Sequence, residues 1–302
     1  MLFRSRLLAG LRWFAEKMPQ LPVVAAGSLL EFALADHDHS MPVGRIAFLH
    51  IEPLGFREYL LAHGQDRLLT ALAAWRPGAP CSEAAHEQAR SWFQRFAMVG
   101  GMPAVASADV AGRPPQALRE LQMQLLATYR ADFAKYQRRV DRDLIDRVLL
   151  SVAGALGCKF VQARVGAGVG QVQARRGLDL LTMARVVHQV RYTSASGLPL
   201  GAGRKDTFRK VVLADVGLAH ALFRTPAAQA FPAWEDLAPA VRGQLTDQLA
   251  AQELRLLDSP AGDGPGDGTG QAQHRRVAAG GRGAGADRLH AGRLGLAAVS
   301  TS

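Results

Sequence analysis

This chain of 302 residues has only two cysteines and no long apolar run, and both features exclude classes of protein. Cys81 and Cys158 are too few and too widely spaced for a disulfide framework or a structural zinc site. No apolar stretch approaches the roughly 18 residues that a membrane span needs, so we predict no membrane partner. The spacing of apolar residues over 3–17 favours an amphipathic helix over a targeting peptide, because no small-residue cleavage site follows. We therefore expect a cytoplasmic protein.

Aromatic residues are absent from the C-terminal segment, residues 259–302, which consists largely of Gly, Ala, Arg and small polar residues. Such a segment has no amphipathic period and buries too little apolar surface to offset the entropy lost on ordering its backbone. We predict a disordered tail. The alternative is an out-of-frame translation of GC-rich DNA, which yields the same composition.

Lysine is scarce although the chain is strongly basic: only five of the 36 basic residues are Lys, and the formal net charge is +10. Apolar residues make up 48% of the chain, which places it in the globular class. An excess of basic over acidic residues allows contact with nucleic acid. The excess of Arg over Lys is also what GC-rich coding produces, so the charge alone does not establish that partner.

The hydrophobic pattern predicts a helix-rich α/β fold. Short continuous apolar runs predict two strands, Leu21–Ala26 and Arg45–Ile51, that are covered on both faces. Periods of 3.6 residues predict long helices over 66–75, 83–97, 116–136 and 235–257. Two or three short helices are predicted within 141–190, followed by a β-hairpin formed by 186–194 and 206–218.

Three helices followed by a hairpin are the parts of a winged-helix module. The segment that precedes the hairpin places apolar residues on one side and leaves basic residues to point outward, and the hairpin adds further charge. Duplex DNA is the partner that this pattern predicts. The alternative is a domain used for packing and for contacts within a homo-oligomer. The candidate nucleic-acid-binding residues are Arg175, Arg176, Arg185, Arg191, Arg204, Lys205, Arg209 and Lys210.

Several short segments occur in an order that is similar to one protein family. They are AAGSLLEFAL (25–34), MPVGRI (41–46), EPLGFREYLLAHG (52–64), GGMPAV (100–105), YRADFAKY (129–136), GLPL (197–200), FRKVVLADVGL (208–218) and AAQEL (250–254). Together they resemble the bacterial AAA-superfamily ATP-binding proteins that carry the C-terminal domain of unknown function 4143. The resemblance covers roughly residues 5–257.

The resemblance implies a fragment of such an ATP-binding protein. That family begins with a phosphate-binding loop, but this chain has no Gly-Lys dipeptide, so we expect no ATP or magnesium site here and no ATPase activity of the chain by itself. The implied segments are a two-strand remnant of a P-loop ATPase sheet (1–55), a helical lid-like region (56–140), the winged-helix-like domain (141–220), the start of a truncated C-terminal domain (221–258) and the tail (259–302). The two strands would flank a missing first strand and present unpaired edges.

Two residues are candidates for a catalytic role, Ser28 from the resemblance and Arg45 from its place after a Pro-Val-Gly turn at the start of a strand. Ser28 lies at the family's sensor position, where it would contact the γ-phosphate or the attacking water. Its alternative role is a helix N-cap in a capping box with Glu31. Arg45 would serve as an arginine finger supplied to a neighbouring subunit. Its alternative role is an ion pair with a local carboxylate.

The end of the resemblance suggests a third class of function, a degenerate restriction-endonuclease-like protein. In the family, the helix that here reads GQLTDQLAAQEL (243–254) leads into strands that carry an acidic pair and a lysine. Here those strands are replaced by the Gly/Ala/Arg segment. Glu253 alone cannot hold a metal ion, because such a site needs all its members, so we predict no metal site.

Overall fold

The computed structural model describes residues 10–11, 13–27, 47–76, 78–134, 142–194, 203–223, 231–257 and 295–298. The chain divides into two compact units: Met1–Glu52 with Asp258–Ser302, and Pro53–Leu257. The five segments predicted from the sequence are finer than this division, which does not test their boundaries. Ser28 and Arg45 lie outside the described residues.

The elements are numbered along the chain. The strands are β1 (Val24–Gly27), β2 (Ala47–His50), β3 (Val187–Thr193), β4 (Arg204–Leu213) and β5 (Gly295–Ala298). The helices described in the larger unit are α1 (Phe56–Ala62), α2 (Asp66–Ala74), α3 (Glu83–Val99), α4 (Pro103–Val110), α5 (Pro115–Ala134), α6 (Arg142–Ala153), α7 (Gln171–Met183), α8 (Val216–Leu222) and α9 (Pro239–Leu257). Short 3-10 turns occur at Gln162–Arg164 and Trp234–Asp236.

The smaller unit contains a three-stranded sheet in the order β1-β5-β2. β5 pairs antiparallel with both neighbours, so that Leu296 lies opposite Ala26 on one side and Leu49 on the other. β1 and β2 fall within the predicted strand regions. β5 departs from the prediction of a tail without structure, because its Gly-Leu-Ala-Ala stretch is a short uncharged run in an otherwise polar segment. It also occupies the position between β1 and β2 that we expected to be empty.

The core of the larger unit is centred on α8, whose seven residues are all buried. α3, α5, α6 and α9 all pack against it. The sequence predicts a strand that continues to Leu218, but β4 ends at Leu213 and α8 begins after Asp215. The Asp215 carboxylate accepts the backbone N–H of Leu218 at 3.2 Å and so caps this helix. An uninterrupted apolar run reads equally well as a buried strand or a buried helix, and this cap decides between them.

Three distant segments meet at Gly101. Its N–H donates to the Asp215 carboxylate at 2.6 Å, and its carbonyl oxygen accepts the N–H of Leu54 at 2.8 Å. The preceding residue, Gly100, has φ 77°, a conformation that favours glycine. Side chains are therefore excluded here both by the backbone conformation and by the closeness of the neighbouring chain.

Helix α9 binds to the ends of two other elements through polar side chains. The amide of Gln248 pairs with both backbone groups of Leu213, with distances of 2.8 and 2.7 Å. Gln252 accepts the N–H of Val216 at 2.9 Å. Buried backbone groups that would otherwise lack a partner at the junction between β4 and α8 are thereby satisfied.

Residues 142–194 and 203–213 form a helix-and-hairpin assembly that we call the hairpin module. α6 packs on α7, α7 packs on β3, and β3 and β4 form an antiparallel hairpin. The segment between α6 and α7 adds a third strand position, where Lys159 pairs with Lys210 and the N–H of Phe160 donates to the carbonyl oxygen of Arg209 at 2.9 Å. Only two α-helices occur here, because the third helix of the predicted trio is a single 3-10 turn.

The fold class is therefore helix-rich α/β, as predicted at this coarse level. The larger unit is mainly helical and carries a small two-stranded antiparallel sheet. Within the described residues, no helix is both long enough and apolar enough to span a bilayer.

Candidate nucleic-acid interface

Helix α7 has one buried face and one exposed face. Ala174, Gly177, Leu178 and Leu181 are buried at the i, i+3, i+4, i+7 spacing of an amphipathic helix. Gly177 permits a close approach to α6, because a Cβ there would lie 2.9 Å from the Val148 side chain and force it to shift. The close approach of α6 and α7 therefore fixes which face of α7 points outward.

The exposed face of α7 carries Arg175 and Arg176, as the sequence predicts. Arg175 lies 3.9 Å from the Asp179 carboxylate, one turn further along, and both side chains are more than half exposed. Such a pair contributes only about 0.2–0.5 kcal/mol. Among the described residues, Arg176 has no ion-pair partner.

The register of the hairpin assigns its residues to two faces. Gln189 lies opposite Val211, and Arg191 lies opposite Arg209, so these four residues share one face. Val190 lies opposite Lys210 on the other face. The predicted basic residues of the hairpin are therefore divided between its two sides, which the sequence pattern did not indicate.

Gln189 joins the first of these faces to α7. Its amide nitrogen donates to Thr182 at 2.9 Å and to Asp179 at 3.3 Å, while its amide oxygen accepts from Arg209 at 2.9 Å. Arg209 and Arg191 thus lie on the side of the hairpin that meets α7. The contacts of Asp179 and Gln189 therefore connect Arg175 of α7 to Arg209 of this hairpin face, and Arg176 lies elsewhere on the exposed face of the same helix.

Lys210 lies on the opposite face, with an exposed group of apolar and basic residues. The rings of Tyr192 and Phe208 make an edge contact with centroids 5.6 Å apart, and the Lys159 ammonium lies 5.3 Å from the centre of the Phe208 ring. Lys159 was not among the predicted residues. Lys159 reaches this face of the hairpin through its pairing with Lys210, which lies about 50 residues further along the chain.

The remaining predicted residues lie at the two ends of the hairpin. Arg185 occupies the tight turn between α7 and β3, with φ 55°. Arg204 and Lys205 lie at the outer end of β4, opposite Thr193 and Tyr192. They belong to the same hairpin as Arg191, but the orientation of their side chains lies outside what the structure describes.

Comparison with known proteins gives one match. Residues 90–229 match DUF8612, a domain of unknown function. The match begins within α3 and runs beyond α8, so it includes the whole hairpin module and covers less than half of the chain. No curated protein and no solved structure matches the chain.

This match overturns the predicted resemblance. The similarity to AAA-superfamily ATP-binding proteins with domain of unknown function 4143 is wrong, because the family found is DUF8612 and no ATPase family matches. The structure supplies a physical reason. Four of the quoted segments contain Leu54, Gly101, Asp215 and Gln252, which meet in the buried contacts around α8. The order of these segments along the chain therefore reflects the packing of the core and not the binding of a nucleotide.

The single carboxylate considered as a metal ligand has a structural role in this fold. Glu253 accepts the N–H of Phe56 at the start of α1, at 2.8 Å. Burial raises the pKa of Glu253 above its usual value, and this hydrogen bond partly opposes that effect. Within the described part of the chain, no three His, Cys, Asp or Glu side chains are grouped as metal ligands.

Proposed function

We propose that the hairpin module binds duplex DNA, with α7 in the major groove and the α7-facing side of the hairpin against the phosphate backbone. The observation that carries this proposal is the run of contacts from Arg175 of α7 through Asp179 and Gln189 to Arg209 of the hairpin, where Arg191 lies opposite. Arg176 is exposed on the same helix. A helix followed by a basic antiparallel hairpin is a common arrangement for groove insertion with flanking backbone contacts.

The dimensions of α7 suit this role. Its 13 residues give a length of about 20 Å, and an α-helix fits the major groove, which is about 12 Å wide. Its first turn exposes Val172, with 67% of its surface accessible. An exposed apolar side chain at the start of an inserted helix can contact a thymine methyl group.

Asp179 is an acidic residue on the exposed face of α7, and its position limits where phosphates can bind. Its carboxylate contacts Arg175 at one side and accepts from Gln189 at the other. Phosphate would be repelled there, so we assign backbone contacts to Arg176 and Arg191 and leave Asp179 facing the groove. A carboxylate in the groove accepts a hydrogen bond from cytosine N4.

Binding of the full chain to a fluorescein-labelled duplex of 20 base pairs tests the proposal. The expected result is an affinity that falls steeply between 50 and 200 mM salt, because phosphate contacts release counterions. Arg176→Gln is expected to weaken binding about tenfold and to reduce the slope of log K against log salt by about 1. Fluorescence anisotropy measures both quantities.

Arg67→Gln is the matched control, since Arg67 is an exposed residue of α2 and its substitution removes the same charge. We expect its affinity to stay within about twofold of the unmodified chain, because α2 is not part of the surface. Equal weakening by the two substitutions would show that only net charge matters. Binding that does not change with salt would also contradict the proposal.

The outcome differs among the other functions that the sequence predicts. The homo-oligomer stays a prediction, and the restriction-endonuclease-like alternative, which came from the end of the overturned resemblance, is not retained. The ATP-binding fragment and the P-loop sheet remnant depended on the resemblance that the DUF8612 match overturns, and we do not retain them.

A further inference from the structure

A buried carboxylate lies beneath a cleft in the larger unit, away from the residues used above. The Asp109 side chain, at the end of α4, is 1% exposed. Arg95 of α3 binds it with two nitrogens, at 3.1 and 2.7 Å, and the Tyr59 hydroxyl donates to it. His63 Nε2 lies 3.1 Å away without hydrogen-bond geometry.

The charges in this cluster are balanced. The hydrogen bond to Asp109 raises the pKa of Arg95, which therefore stays cationic. Burial raises the pKa of Tyr59 and lowers the pKa of His63, so the first stays a hydroxyl donor and the second stays neutral near pH 7. One carboxylate and one guanidinium remain, and together they carry no net charge.

The cleft above the cluster has a volume of about 410 Å³ and lies between α3, the start of α5 and the segment around Trp234. This size falls within the usual range for small-molecule sites. Its apolar lining includes Met98, Leu118, Phe231 and Trp234. Arg95 and Arg113 supply the positive charges of the lining, and the buried Asp109 supplies its one negative charge.

Arg113 gives the cleft its net charge. It lies in the turn between α4 and α5, is exposed, and has no ion-pair partner among the described residues. Because Asp109 is already neutralised by Arg95, the positive charge of Arg113 is left over. A cleft with an aromatic wall and one uncompensated guanidinium is complementary to a ligand with an apolar body and one negative charge.

We propose that this cleft is a binding site for a small aromatic organic acid, with the acid group held by Arg113 and the ring held between Phe231 and Trp234. The proposal is independent of DNA binding. It assigns Asp109 and Tyr59 to positioning, since they fix Arg95 at the cleft without contacting the ligand.

Fluorescence titration of the full chain with 1-anilinonaphthalene-8-sulfonate tests this site, and N-phenyl-1-naphthylamine is the matched probe without the sulfonate. We expect the sulfonate to bind at least fivefold more tightly than the uncharged probe. Arg113→Gln is expected to weaken the sulfonate about tenfold and to leave the uncharged probe within about twofold. Arg113→Lys, which keeps the charge, is expected to restore part of the affinity.

Arg90→Gln controls for loss of charge on α3, because Arg90 is half exposed and pairs with Glu87 outside the cleft. Its sulfonate affinity should match that of the unmodified chain. Near-ultraviolet circular dichroism checks that each variant keeps its folded packing, since loosely packed proteins also bind these probes. Equal affinity of the two probes, no effect of Arg113→Gln, or an equal effect of Arg90→Gln would each overturn the proposal.

Discussion

Replacing Gly101 with alanine is expected to lower the free energy of unfolding by about 4 kcal/mol or more, an effect at the severe end for single substitutions. A Cβ at this position would lie 1.8 Å from the carbonyl oxygen of Leu54, well inside van der Waals contact. Relief by backbone movement is also costly. Any shift would stretch the hydrogen bonds that Gly101 makes with Leu54 and with the buried carboxylate of Asp215.

Gly243→Ala is the matched control for the same chemical change. Gly243 lies in α9, and a Cβ there would have no atom within 4 Å. Alanine in a helix interior is more favourable than glycine, so this variant is expected to gain about 0.5–1 kcal/mol. Urea denaturation followed by circular dichroism measures both variants. Similar stabilities for the two would contradict the packing that we describe at Gly101.

The second large effect is on how stability depends on pH, and it involves Asp215 and His220 at opposite ends of α8. Burial raises the pKa of Asp215 to about 6, against the hydrogen bonds from the N–H groups of Gly101 and Leu218. Burial, together with the charge of Arg119, lowers the pKa of His220 to about 4. The imidazole contacts the Phe231 ring, and neither of its nitrogens has a hydrogen-bond partner among the described residues.

The two groups act on stability in opposite directions. As pH falls from about 6 towards 4, folded Asp215 takes up a proton before the unfolded chain does, so its contribution to stability rises. Over nearly the same range, the unfolded chain protonates histidine while folded His220 stays neutral, so that contribution falls. Between pH 6 and pH 4 each effect amounts to about 2 kcal/mol, and the two largely cancel in the unmodified chain.

Single substitutions are expected to expose these opposing effects. Relative to the unmodified chain, Asp215→Asn should lose about 2 kcal/mol of stability between pH 6 and pH 4, whereas His220→Gln should gain a similar amount. Urea titrations at several pH values give each profile, and the difference from the unmodified chain removes the contribution of all other groups. Profiles that run parallel to that of the unmodified chain would show that these two groups do not titrate as described.

Long helices were the most predictable part of this fold. The predicted ranges 66–75, 83–97 and 116–136 agree with α2, α3 and α5 to within two residues at each end. Their amphipathic period is a local property, so the sequence displays it directly. Helix α8 was not predictable in this way, because every one of its residues is buried and no polar face marks a helical period.

The candidate DNA surface was only partly predictable. The outward direction of Arg175 and Arg176 follows from the apolar spacing of one helix. The division of Arg191 and Lys210 between two faces depends on strand register, which a single sequence does not specify. The cluster around Asp109 was missed, since Tyr59 and Arg95 reach it from 50 and 14 residues away and no local motif connects them.

The pairing of β5 between β1 and β2 has a consequence for the newly made chain. About 245 residues separate the end of β2 from the start of β5. At usual rates of synthesis, β1 and β2 must wait roughly 10–50 s for the strand that joins them. During that interval both strands offer open backbone groups to any other extended segment, including β5 from a second copy. Strand exchange between neighbouring chains on one messenger RNA is therefore the specific misassembly to which this sheet order exposes the protein.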